Sequence, residues 1–157
     1  MSTAGTGAGE GSPVLGRTEL IELGRRTVTR RLQALRCTVE APAGRAGSRL
    51  TARTPSGRSV ELFVSTQRVG GYAFWTKERL VLSPDRYAAI VLLLDPQRPD
   101  VYLLPSLEWR SASPPLTDRD NVGKASKPEY GVSLARSSLP ALERYRWDDG
   151  ARADEFR

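Results

Sequence analysis

The sequence predicts an α/β domain built on a mixed central β-sheet, with one helix flanking it from the N-terminal end and another from the C-terminal end. Three observations carry that expectation. Residues 17–36 place their apolar side chains at helical spacing, and residues 59–67 alternate at the two-residue period of a strand. Residues 87–94 read YAAIVLLL, a continuous apolar run suited to a strand covered on both faces.

Taken in order, residues 1–16 include five glycines and bury too little to offset backbone ordering, so they are expected to form a disordered tail. Thr18 is the expected N-cap of a helix running to about Arg36, with Glu19 and Glu22 in its first turn. Leu20, Ile21, Val28, Leu32 and Leu35 fall within about 120° of one another on a helical wheel. Gly24 and Arg31 lie inside that stripe. The glycine reads as a point of close backbone approach, the arginine as a side chain snorkelling at the margin. The opposite face carries Arg25, Arg26 and Arg36, with Arg30 at its edge.

Residues 37–40 suit a short edge strand before a Pro/Gly-rich loop. Residues 49–54 and 59–67 form a hairpin about the turn Pro55-Ser56-Gly57-Arg58. In its second strand Val60, Leu62 and Val64 alternate with Glu61, Phe63 and Ser65. Gly70-Gly71 turns the chain into a strand at 72–75, and residues 101–104 return beside 87–94 after a loop holding Pro96 and Pro99. Residues 105–110 make a turn. Residues 111–136, rich in Pro, Asp, Lys and Ser, are expected to be either flexible or packed across the surface. Ser137 or Ser138 then caps a final helix at 139–147, with Pro140 in its first turn and Leu139, Leu142, Tyr145 and Trp147 docking it. Residues 148–157 are expected to fray, which leaves 17–147 as a single domain.

Composition limits what such a domain can do. A chain of 157 residues makes one domain the default and buries about 68–70 % of its extended surface. It contains no histidine, which removes Ser-His-Asp and Cys-His catalysis, His-ligated zinc and histidine pH switching. Its one cysteine, Cys37, forbids an internal disulfide, a CxxC pair or a cysteine-cluster zinc site. No apolar run approaches the ~20 residues that span a bilayer, and the first residues lack the basic-then-apolar order of a signal peptide. A cytoplasmic domain without membrane contact, cofactor or metal is the expectation.

The formal charge is +6, and arginine outnumbers lysine 21 to 3, a bias that a GC-rich genome explains by itself. Its distribution says more. Residues 17–68 hold eleven basic and four acidic side chains, whereas residues 69–157 hold thirteen of each. Arg25, Arg26, Arg30 and Arg36, with Arg58 and Arg68 nearby in sequence, are therefore the candidate phosphate-contacting residues.

The segments ELFVST (61–66), GYAFWTK (71–77), VYLLPS (101–106) with Trp109, and KPEYG (127–131) ahead of LERY (142–145) resemble a group of uncharacterised bacterial proteins. The order helix, short strand, hairpin, further strands, helix resembles the restriction-endonuclease-like core of the PD-(D/E)XK superfamily, over about residues 19–147. Such nucleases carry an aspartate on one hairpin strand and, on the next, an acid or glutamine two residues before a lysine. The acids hold Mg²⁺ and the lysine serves the attacking water. Aligned on residues 62–66, Phe63 replaces the acid and Ser65 the lysine, and RLTAR (49–53) has no aspartate. The resemblance thus implies the fold without the chemistry, a catalytically inactive nuclease-like domain that acts by binding. Its partner would be nucleic acid through the arginine helix, or a protein through residues 111–136. The alternatives are a divergent Mg²⁺-dependent nuclease whose acids have moved to Glu40, Glu61 or Asp95, and a protein-interaction module that neither binds nor cleaves nucleic acid.

Other groups read as structural. Asp100 with Glu108-Trp109-Arg110 imitates the nuclease string, but Asp100 lies at a hairpin loop and Pro105 intervenes. Asp118 and Asp120 suit a solvated turn better than a cation loop. Ser106 has no histidine base, and nothing in the sequence brings Lys124 or Lys127 to it. Tyr72, Phe74, Trp75, Tyr102 and Trp109 could stack on bases but suit a core.

Overall fold

In the computed structural model, which describes residues 15–40, 48–94, 98–148 and 153–157, the first element is helix α1 (Arg17–Ala34). Its N-cap is Gly16 rather than Thr18, and Glu19 accepts a 3.1 Å hydrogen bond from the Gly16 N–H. The helix closes where Arg36 takes a left-handed backbone (φ 65°), so that the N–H groups of Arg36 and Cys37 turn back onto the carbonyls of Gln33 and Leu32. The expected tail at 1–16 lies almost wholly outside the described residues.

The strands that follow are β1 (Thr38–Glu40), β2 (Arg49–Arg53), β3 (Ser59–Arg68), β4 (Tyr72–Thr76), β5 (Arg86–Leu93), β6 (Asp100–Pro105), β7 (Leu116–Arg119) and β8 (Glu129–Ser133). A five-stranded sheet has the order β1-β2-β3-β5-β6, with β3 and β5 parallel and every other neighbouring pair antiparallel. It is a mixed α/β architecture around a mixed sheet. The run of α1, β1, the β2–β3 hairpin and further strands follows the order that the sequence predicts.

Each face of this sheet carries its own core. On one side Val28 and Leu32 of α1 pack on Val60, Leu62 and Val64 of β3 and on Tyr87, Ala89 and Val91 of β5. On the other, Phe63, Ala88, Ile90 and Leu92 meet Trp75, Trp109, Val132 and Leu142. Strand β5 is therefore covered on both faces, as its continuous apolar run predicts. Fully burying each such aliphatic side chain is worth roughly 1.5–3 kcal/mol.

Five further features differ from the sequence reading. Strand β4 leaves the main sheet and pairs with β8, which in turn pairs with β7, in a second, antiparallel three-stranded sheet. Residues 111–136 supply two of its strands, so packing across the surface is the outcome there. Gly131 makes room for this layer: a Cβ at that position would sit 1.9 Å from the Tyr72 hydroxyl. The C-terminal helix is α2 (Leu139–Leu142), continued by a 3₁₀ turn at Glu143–Tyr145. It ends early because Arg146 bridges to Tyr102 and the Trp147 N–H donates to the Val101 carbonyl at 2.8 Å.

Gly24 faces a side chain, not a backbone: a Cβ there would stand 2.0 Å from Thr66 Oγ1. Arg31 does not snorkel freely, since its guanidinium donates to the Trp147 carbonyl at 2.5 Å and ties α1 to the C-terminal segment. Finally, a 3₁₀ turn at Ala153–Phe156 buries Phe156 to 1 % exposure against Tyr87 and Trp147, where a frayed end was expected. Among the described residues no helix is long and apolar enough to cross a membrane.

Candidate nucleic-acid interface

Strand β3 carries Phe63 and Ser65 on one face. Phe63 is 2 % exposed and pairs in register with Arg49 on β2 and Ala88 on β5, its ring sealed beneath the second sheet. Ser65, two residues on, lies at the open end of the same face. Its hydroxyl accepts a 2.9 Å hydrogen bond from the Gln67 amide. On the β2 side the nearest residues are Arg49 and Ser48, whose carbonyl accepts from the Val64 N–H at 2.6 Å. A ring, two hydroxyls, an amide and a guanidinium do not fit magnesium, which takes carboxylate oxygens. Among the described residues no group of three or more acids, cysteines or histidines converges.

The relocated acids fare no better in the described residues. Glu61 lies between two guanidiniums, with Arg49 and Arg86 each at 3.4 Å. Glu40 aligns with Thr51 and then Glu61 across β1, β2 and β3, which puts its backbone about 10 Å from that of Glu61. Asp95 lies outside the described residues. Asp100 pairs with Arg146 at 2.9 Å and Glu108 approaches Arg144 at 4.0 Å, so the string that imitates the nuclease motif is split between two arginines.

The remaining polar candidates have structural partners. Lys77 bridges Asp118 and Asp120, and these two carboxylates hold its ammonium well above the ordinary lysine range. Lys127 pairs with Glu78 at 2.6 Å, and Lys124 is exposed. Ser106 is fully buried; its hydroxyl donates to the Ser83 carbonyl at 2.7 Å and accepts from the Ser83 N–H at 2.9 Å. It fastens β6 to the loop before β5.

The six candidate arginines separate into three settings. Arg26 and Arg30 are exposed on α1 without an ion-pair partner among the described residues, Arg25 pairs with Glu22 at 3.1 Å, and Arg36 is exposed at the helix end. Arg58 is an anchor rather than a free cation. Its guanidinium donates to Asp85 (2.8 Å), the Pro84 carbonyl (2.8 Å), the Tyr87 hydroxyl (3.1 Å) and the Glu155 carbonyl (3.0 Å). Arg68, at the end of β3, lines a cavity of about 500 Å³ beside Ser65, and Arg17 and Arg79 line it too.

Sequence reasoning missed Arg79, which belongs to a stretch of balanced charge and reaches this cavity through the turn after β4. Of the five aromatics, Trp75, Tyr102 and Trp109 are buried. The Tyr72 hydroxyl is held by Thr117 (2.6 Å) and Glu129 (3.1 Å). Phe74 alone among them is exposed, at 55 %.

The chain resembles in structure the Holliday junction resolvase Hjc of Archaeoglobus fulgidus, with 14 % identity and a TM-score of 0.48, over 87 % of this chain and 97 % of that one. No protein-family model and no curated protein matches the sequence.

Proposed function

We propose that this chain is a catalytically inactive, nuclease-like domain that acts by binding nucleic acid through phosphate contacts. The observation that carries the reading is the exchange at the open end of β3. There the resemblance would put an acid and a lysine where Phe63 and Ser65 stand, and the neighbouring cavity wall carries Arg17, Arg68 and Arg79 without an acid. Exposed Arg26 and Arg30 add a separate basic surface on the other side of α1. Guanidinium groups bind phosphate oxygens in pairs, and each phosphate neutralised releases condensed counterions.

Fluorescence titration of duplex and single-stranded DNA at two salt concentrations tests this. Affinity is expected to fall as salt rises, and the log–log slope to shrink by about 1–2 in the Arg26→Gln/Arg30→Gln variant. Affinity indifferent to salt overturns the reading.

A protein partner is the second reading. It is supported by the loop between β7 and β8, where Val122 is 89 % exposed. A chain that fails to bind DNA but loses a protein contact on Val122→Asp would favour it.

A further inference from the structure

The cavity beside Ser65 has a chemistry of its own. Its charged lining is entirely basic, Arg17, Arg68 and Arg79, and none of the three has an ion-pair partner among the described residues. The hydroxyls are arranged to donate. Ser65 Oγ accepts from Gln67 and Ser48 Oγ accepts from Arg79, which leaves each hydroxyl proton free for an incoming acceptor. The start of α1 reaches the same cavity through Leu15, just before the helix, and Arg17, while the Gly16 N–H is taken by the Glu19 carboxylate. Beside this anion-seeking wall stands Phe74, 55 % exposed, its ring backed by Tyr72 at 6.1 Å and an interplanar angle of 22°. A volume of about 500 Å³ falls within the usual range for small-molecule sites, roughly 300–1,000 Å³.

From this juxtaposition we infer that the cavity binds one nucleoside monophosphate unit, its phosphate held by Arg17, Arg68 and Arg79 and its base stacked on Phe74. Guanidinium and hydroxyl donors would hold the phosphate directly. The inference rests on the nucleic-acid reading for the unit's natural source, a nucleotide within a strand. A free nucleotide offers the same chemistry.

Calorimetric titration of the full chain with 5′-AMP, adenosine, inorganic phosphate and an oligodeoxyadenylate tests it. AMP should bind at least about tenfold more tightly than either adenosine or phosphate, since only AMP engages both walls. Phe74→Ala should weaken AMP about fivefold or more and leave phosphate unchanged. Arg68→Gln/Arg79→Gln should weaken both by about tenfold or more, and Ser65→Asp, which sets a carboxylate among the arginines, should abolish AMP binding. These side chains are at least partly exposed, and far-UV circular dichroism verifies that each variant folds.

AMP that competes with the oligonucleotide, whose binding Arg26→Gln/Arg30→Gln weakens without altering AMP, supports the pocket and the strand together. AMP binding without oligonucleotide binding supports the pocket, assigns it to free nucleotide and removes the nucleic-acid reading. Oligonucleotide binding that AMP does not displace and the pocket variants do not change overturns the pocket alone. AMP no tighter than adenosine overturns it outright.

Discussion

The guanidinium of Arg79 donates to the hydroxyl of Ser48 at 2.7 Å, across thirty-one residues of chain. Ser48 is itself fixed by its carbonyl, which accepts from the N–H of Val64 on β3. The turn after β4 is thereby joined to the entrance of β2 by a positively charged side chain.

Arg58 holds the β2–β3 turn to the loop before β5 and to the C-terminal segment through four hydrogen bonds. Arg58→Ala should cost about 2–3 kcal/mol in urea unfolding, whereas Arg26→Ala on the exposed helix face should stay within about 0.5 kcal/mol. Equal effects of the two would contradict the division between anchor and surface.

At Gly24 two forces compete. Replacing a helical glycine by alanine gains about 1 kcal/mol in propensity, but the new methyl would meet Thr66 Oγ1 at 2.0 Å. Overpacking should prevail, leaving Gly24→Ala less stable by about 1–3 kcal/mol, and adding Thr66→Ala should recover most of the loss. A double-mutant cycle without coupling would place the contact elsewhere.

Arg36 occupies a left-handed conformation at the end of α1, which strains any residue with a Cβ. Arg36→Gly should therefore raise stability by about 0.5–1 kcal/mol even though it removes a candidate phosphate contact. Thermal unfolding measures the first effect and DNA titration the second.

Burial pushes the Cys37 thiol up, and burial likewise raises the Tyr87 phenol. Each folded group keeps its proton at a pH where the unfolded chain has released it. Their contribution is complete below the unfolded values, about 8.5 for a thiol and 10 for a phenol, and is lost as pH rises through the folded ones. Stability should fall above about pH 8.5, and Cys37→Ala should delay the onset of that fall.

The elements governed by local pattern were legible in the sequence. The apolar run of β5, the alternation of β3 and the turn at Pro55-Ser56-Gly57-Arg58 declare themselves within a few residues. The second sheet does not, because β4 pairs with β8 in a register that sets Tyr72 against Ser133, and β7 reads LTDR, too polar to signal a strand. Phe156 escaped notice for a similar reason: one aromatic among charged neighbours gives no period, and only the cavity between Tyr87 and Trp147 gives it a place. The reading of Phe63 and Ser65 as exchanged positions rests on the resemblance. The cavity was not legible, since Arg17, Arg68 and Arg79 gather only after β3, β4 and α1 have packed.

The decisive measurement incubates end-labelled DNA with the protein in magnesium, in manganese and in chelator, and reads retention and strand scission from the same samples. An arginine surface without metal chemistry retains the DNA in all three, less tightly where the divalent ions compete for its phosphates, and leaves every strand intact. Scission that requires the metal and disappears in Glu61→Ala would show that the carboxylates of this chain still do a nuclease's work.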